Sequence, residues 1–348
     1  MGLLWTDGFD SFAATADLFK KWGNVGATWA WGAATGRNGG GGVSCAAGGS
    51  AVLVSQTTAL PGLSTGTYAL AFYMKLTNAA PTGTISPLIS LVDGATTMAG
   101  GLGLVVGRGI TLLTASNAIA ITGTTSVCDG NWHFIEWQFG LANSSSAPTA
   151  LYIDGIKEWA TTANMTNGTR VPTALRFHQN NAGIAFLGLD DVVVYGDSGF
   201  PNASSDYPLG QLAIDTLRPT SDSAVTWTPD SGLNNFSRVN EVNGDGDSSY
   251  VQTATVNNQD LYGYGSLGGV APVNIWGAMV NSYIDNPVSG TQNFQAVCKS
   301  SGVTSTGTTT VCPTSYKIKQ QAFNQDPNGP TNWTQSSINA ATFGAKAV

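Results

Sequence analysis

Apolar and polar residues alternate with period two along most of this chain. In TYALAFYMKL (67–76), Tyr68, Leu70, Phe72 and Met74 fall on one face, because successive side chains of a strand point to opposite sides. The same alternation runs through SPLISLVDG (86–94), GLGLVVGRGITLLTAS (101–116), NWHFIEWQF (131–139), TALYIDGIKEWA (149–160), ALRFHQ (174–179) and IAFLGLDDVVVY (184–195). Each run is short, carries β-branched or aromatic residues, and is bounded by Gly, Asn, Asp or Pro. Many short strands separated by turns predict an all-β sandwich or barrel.

The segment GDSGFPNASSDYPLG (196–210) breaks the pattern with two prolines and a loop-forming composition. A second set of strand-like runs follows it, from QLAIDTLRP to TTTVCPTSYKIKQQAF. The expected organisation is therefore a sandwich over residues 1–198, a linker over 199–210, and a second, smaller β-sandwich domain over 211–348. Helix is expected in two short pieces. One or two turns fit SFAATADLFKKW (11–22). A second piece near the end has Asn332 or Thr334 as its cap and Phe343 as its anchor. Residues 344–348, beyond that anchor, are expected to be dispensable.

A length of 348 residues suits two domains. The net charge is −7, and the lysines and arginines are scattered. No basic run offers itself to phosphates, so nucleic acid is not an expected partner. No apolar run approaches the length of a membrane span, and the start MGLLWTDGFDSF has no basic or long apolar region of a signal peptide. Leu3, Leu4 and Trp5 instead open the first strand. GRNGGGG (36–42) reads as a sharply bent turn. GYGSLG (263–268) matches a nucleotide-loop spacing, but no helix follows it. No cofactor is expected. Cys298 and Cys312 flank an apparent hairpin arm. Whether they pair is open at this stage.

Three segments carry a resemblance to the concanavalin A-like, laminin G-like jelly-roll sandwich. They are DGNWHFIEWQF (129–139), ALYIDGIKEW (150–159) with Asp154-Gly155 at a hairpin tip, and FLGLDDVVVY (186–195). The resemblance covers residues 1–198 and implies a fold, not an activity. A second resemblance is to bacteriophage virion structural proteins of tail, fibre or head surface. LLWTDGFDSF, AVTWTP, VNEVNGDGDSSYV, DLYGYG and the ending DPNGPTNWTQSSINAATFGAKAV carry it. It implies synthesis in the host cytoplasm, assembly into the virion, contact with other virion proteins and a homo-oligomer.

Candidate chemistry starts at His133 and Glu136. On a regular strand, 132, 134, 136 and 138 share one face and 133, 135, 137 and 139 the other, so the two residues point apart. Some concanavalin A-like proteins are glucanases, and a retaining glycosidase needs two carboxyl groups about 5 Å apart. The glutamates here are Glu136, Glu158 and Glu241, too widely spaced for the E-x-D-x-x-E strand motif. Asp190 and Asp191 are adjacent and so point to opposite faces. Neither His133 nor His178 accompanies a nucleophile elbow. The chain is accordingly expected not to be an enzyme. Its alternative role is recognition of a host surface glycan, with Trp22, Trp29, Trp31 and Trp159 as candidate stacking residues. NGDGDSSY (243–250) alternates oxygen-bearing residues at Asn243, Asp245, Asp247 and Ser249, a weak calcium candidate that lacks the closing glutamate.

Overall fold

The computed structural model describes the chain apart from residues 1, 49–50, 56–59, 61–62, 64–65, 83–84, 94–96, 108, 143–144, 167–170, 180, 197–207, 233, 268–273, 289 and 330, and apart from the side chains of 97–99. The described residues are all-β, in antiparallel sheets. They form two compact units, Leu3–Ile214 and Asp215–Val348. The expected linker at 199–210 lies, as far as residue 207, outside the described residues. Residues 208–214 belong to unit 1. No helix among the described residues is long and apolar enough to cross a membrane.

The strands of unit 1 are β1 (Gly2–Asp7), β2 (Trp22–Val25), β3 (Trp29–Gly32), β4 (Gly42–Cys45), β5 (Ala51–Ser55), β6 (Gly66–Leu76), β7 (Ser86–Asp93), β8 (Thr97–Leu104), β9 (Ile110–Leu113), β10 (Ile119–Thr122), β11 (Trp132–Leu141), β12 (Pro148–Ile153), β13 (Ile156–Thr162), β14 (Ala174–Gln179) and β15 (Phe186–Gly196). Sheet A has the order β13-β12-β11-β6-β15-β4-β3, with β1 added on β15. Sheet B has the order β10-β9-β8-β7-β14-β5-β2. Their inner faces meet in an aromatic core. Phe72 of sheet A meets Phe177 of sheet B edge-on, with centroids 5.3 Å apart. The alternation of β6 predicts this directly, since Leu70, Phe72 and Met74 are all fully buried. Asp154 and Gly155 turn β12 into β13 with φ of 53° and 83°, the left-handed pair of a two-residue hairpin turn. The expected helical turns near the start are a 3-10 helix, Thr15–Lys20, which buries Leu18.

Unit 2 contains β16 (Pro219–Val225), β17 (Thr228–Pro229), β18 (Val251–Gln252), β19 (Gln259–Tyr264), β20 (Ala278–Ile284), β21 (Asn293–Ser300), β22 (Val303–Thr306), β23 (Thr310–Val311), β24 (Lys317–Phe323), α1 (Gln335–Ala340) and β25 (Thr342–Ala347). Sheet C runs β16-β19-β25-β21-β22, with β23 also on β21. Separate two-stranded ribbons are β17-β18 and β20-β24. The core of unit 2 is small. Cys298, Phe323, Trp333, Ile338 and Phe343 pack together, with Val280 and Ile275 half-buried against them. Thr334 caps α1 by accepting the Ser337 N–H at 3.1 Å, and Phe343 is buried, as the sequence predicts. The expectation that 344–348 is dispensable is corrected. These residues continue β25, which lies between β19 and β21 in the middle of sheet C.

Candidate functional site

The outer face of sheet A carries a buried polar array. Glu136 sits on β11 opposite Ala71 of β6 and Tyr152 of β12. Its carboxylate is fully buried. Oε1 accepts the Gln138 side-chain N–H at 2.9 Å and the Leu209 backbone N–H at 3.0 Å. Oε2 is buried without a hydrogen-bond partner. Burial pushes the Glu136 carboxyl above its ordinary range, against the pull of these donors. His133 does point the other way. Its Nδ1 lies 2.8 Å from Asp154 Oδ2 and its Nε2 3.1 Å from Asp129 Oδ1. Burial alone would raise Asp129. The N–H groups of Asn131, and then His133, outweigh it and bring that carboxyl down to about 2. The two residues are therefore not an acid–base pair.

Beside Glu136 on the same face stands Tyr73, which pairs with Phe134 and Asp190 across its two neighbouring strands. The Arg37 guanidinium stacks on the Tyr73 ring at 3.9 Å and bonds to Asp191 at 3.0 Å. The glycine-rich turn at 36–42 makes this possible. Asn38 and Gly39 are left-handed, and a Cβ at Gly41 would stand 2.5 Å from the Phe9 carbonyl oxygen. Folded this tightly, the turn sends the Arg37 N–H to Asp190 Oδ2 at 2.8 Å and the Gly41 N–H to Asp10 Oδ1 at 2.8 Å.

Asp190 and Asp191 themselves sit where the β15–β6 register shifts, with Asp191 at φ 49°. A bulge of this kind re-aims side chains and brings both carboxylates to the Arg37 turn. Burial, then the charge of Asp191, raises Asp190 to about 8.

Residues 208–214 lie over this array. The Ile214 N–H donates to Asp191 Oδ1 at 2.9 Å, and the Leu212 carbonyl accepts from Arg37 Nη2 at 3.2 Å. Leu209 and Leu212 are buried. The charged groups thus hold a polypeptide segment by its backbone. No sequence pattern announced this, because the partners are distant in the chain.

On sheet B, Ser90 Oγ and His178 Nε2 share a buried hydrogen bond. Register places Arg176 directly opposite Ser90. Burial, then the Arg176 charge, brings His178 down to about 4, so the imidazole is neutral at neutral pH. No nucleophile elbow marks this pair, whose members come from two paired strands, β7 and β14, that are far apart in the chain.

Several expected site residues are corrected by burial. Trp22 is fully buried and donates its indole N–H to Asp7 at 2.7 Å. Trp29 is buried against Phe186, with centroids 5.1 Å apart. Trp159 is buried and donates to the Ile110 carbonyl at 3.2 Å. Trp31 is half-buried and tied to the Phe9 carbonyl at 2.9 Å. The first three present no ring face to a sugar, because hydrophobic transfer draws the largest rings into the core.

Three of the calcium candidates are engaged by side chains. Tyr316 donates to Asp247 at 3.0 Å, and Ser249 donates to Glu241 at 2.6 Å and to Asp245. No group of three or more His, Cys, Asp or Glu suited to a metal occurs among the described residues. Cys298 and Cys312 are free. Cys298 pairs in register with Ser305, whereas Cys312 follows β23, whose Val311 faces Asn293 at the other end of β21.

In unit 2 the ribbon β20-β24 stands out. Met279 faces Ala322, Asn281 faces Gln320 and Tyr283 faces Ile318. Phe323 is its buried position, Asn281 its exposed one, and the others are half-buried on both faces.

No protein-family model and no curated protein sequence matches the chain. Among solved structures, the endo-β-1,4-glucuronan lyase of the fungus Trichoderma reesei aligns over 50% of this chain and 90% of its own, at 13% identity and a TM-score of 0.37. An alginate lyase from Chlorella virus aligns over 52% and 96%, at 8% identity and a TM-score of 0.39. The binding domain of a paraclostridial mosquitocidal protein aligns over 49% of this chain and 43% of its own, at 14% identity and a TM-score of 0.37. Likeness at this level concerns β-sandwich architecture alone.

One expectation is nonetheless corrected by it, namely that the chain is not an enzyme. Two of these sandwiches are lyases, so the architecture does not separate this chain from enzymes. The absence of a glutamate pair and of a nucleophile elbow from the sequence speaks only against those two chemistries.

Proposed function

We propose that this chain is a structural component of a bacteriophage virion, and that unit 2 is the module joining it to further copies of itself. The observation carrying this reading is the β20-β24 ribbon. A two-stranded ribbon is marginal in isolation. This one lays Val280 and Phe323 on the small core of unit 2 and presents Met279, Ile318 and Ala322 half-buried on its other face. Its outer edges pair with no further strand among the described residues, and open edges are templates for another chain. The sequence resemblance to virion proteins spans this same unit. Light scattering of the full chain over a range of concentrations tests the reading. A homo-oligomer is expected, and Ile318→Asp is expected to shift it to monomer. A wild-type chain that stays monomeric at every concentration refutes it.

A second reading, recognition of a host surface glycan by unit 1, rests on Trp132. This ring is half-buried. Its edge lies on Gly188, where a Cβ would stand 2.4 Å from it. Asn131 and Asp129, joined by a side-chain hydrogen bond, directly precede it in the chain. An aromatic ring flanked by polar side chains suits a pyranose.

A further inference from the structure

Lys21 is a buried cation. It directly precedes β2, and its side chain is 6% exposed. Its Nζ stands 3.3 Å from Oδ1 of Asp7, the last residue of β1, which is 2% exposed. The Trp5 ring lies 5.3 Å from the ammonium, and Phe9 stacks on Trp22 next to it at 5.8 Å. Since β1 belongs to sheet A and β2 to sheet B, this contact bridges the two layers of the sandwich.

An ion pair shut away from water loses much of its attraction to desolvation. Burial lowers the Lys21 pKa, which favours the free amine. Passing one proton from the ammonium to the carboxylate leaves an amine facing a carboxylic acid, with no change of net charge. The Asp7 carboxyl also has two fixed donors. The Phe9 N–H reaches Oδ1 at 3.0 Å and the Trp22 indole N–H reaches Oδ2 at 2.7 Å. Phe9 is left-handed, at φ 56°, a conformation that non-glycine residues adopt where the surroundings demand it. Donors so placed stabilise negative charge developing on a carboxyl oxygen.

We infer that Lys21 and Asp7 join through an intramolecular amide bond. The Lys21 nitrogen attacks Cγ of protonated Asp7, and the N–C bond forms. The Phe9 N–H holds the resulting oxyanion at Oδ1, and Oδ2, beside the Trp22 indole N–H, carries the hydroxyl. The Cγ–OH bond then breaks, and the hydroxyl leaves as water with a proton from the attacking nitrogen. Amine and acid give amide and water, and nothing is oxidised or reduced. The product removes both buried charges and staples sheet A to sheet B.

Intact-mass spectrometry of the full chain, followed by peptide mapping, tests this. The chain is expected to be lighter than its sequence by one water, and a digest is expected to yield a branched peptide joining residues 7 and 21. Asp7 precedes Gly8, and such a pair can also lose water by closing a succinimide on its own backbone. Lys21→Arg separates the two, since it abolishes the amide and leaves the succinimide possible. A wild-type chain at full sequence mass overturns the inference. So does a water loss that persists in Lys21→Arg. If that variant fails to fold, the wild-type map decides alone: a branched peptide supports the bond, and linear peptides overturn it.

Discussion

The Leu209 backbone N–H donates to Glu136 Oε1 at 3.0 Å, so the end of the expected linker is part of the first unit. Leu212 and Ile214 extend the contact to Arg37 and Asp191.

A fragment ending at residue 214 is therefore expected to unfold cooperatively and to be more stable than one ending at 198. The shorter fragment leaves buried charged groups without the backbone partners they now have. Each such loss costs on the order of 1–3 kcal/mol. Urea unfolding of the two fragments checks this, and equal midpoints would show that residues 208–214 contribute nothing to unit 1.

Asp190 should make stability fall as pH rises. Its carboxyl is raised from 3.8 to about 8 by burial and by Asp191. Between those values the native state keeps a proton that the unfolded chain has lost, so rising pH favours unfolding through that window. Asp190→Asn removes the ionisation, and the difference in melting temperature between pH 5 and pH 8 is expected to shrink. An unchanged difference would mean that other groups set the pH dependence.

The tryptophans should separate into two kinds. Trp22→Ala empties a fully buried site and is expected to cost about 3–5 kcal/mol. Trp132 is half-buried, so Trp132→Ala should leave the fold largely intact. If unit 1 recognises a glycan at that end of sheet A, binding on a glycan array should disappear in Trp132→Ala. Binding that survives it rules out this ring as the platform.

Phe343 packs on Tyr264, Phe323 and Trp333. Because the core of unit 2 is small, Phe343→Ala is expected to cost about 3–5 kcal/mol and to unfold unit 2 while unit 1 stays folded. Calorimetry should then show one transition where the wild type shows two. Loss of both transitions together would show that the units unfold as one.

Much of the strand layout was legible because alternation reports burial locally. β6, β11, β14 and β15 follow their runs, and Asp154-Gly155 and Thr334 mark a turn and a cap through short-range chemistry. The polar sites were not legible in the same way. Ser90 meets His178, and Arg37 meets Asp191, through strand register and a bulge, which no local pattern encodes. The tryptophans misled because a large ring near a turn has the same sequence context whether it is buried or exposed.

The position of β25 bears on how the chain reaches this structure. In unit 1, β11, β12 and β13 follow one another and pair as neighbours, so their contacts can form early. Sheet C has one such local hairpin, β21–β22, but its middle strand comes last in the chain. Both β19 and β21 pair with β25, which comes after the ribbon and α1 in the chain. Closing such long loops slows folding. Until β25 docks, the facing edges of β19 and β21 stay open. Those edges are competent to pair with a neighbouring molecule, so the yield of correctly folded chain should depend on how crowded the chains are while unit 2 is still incomplete.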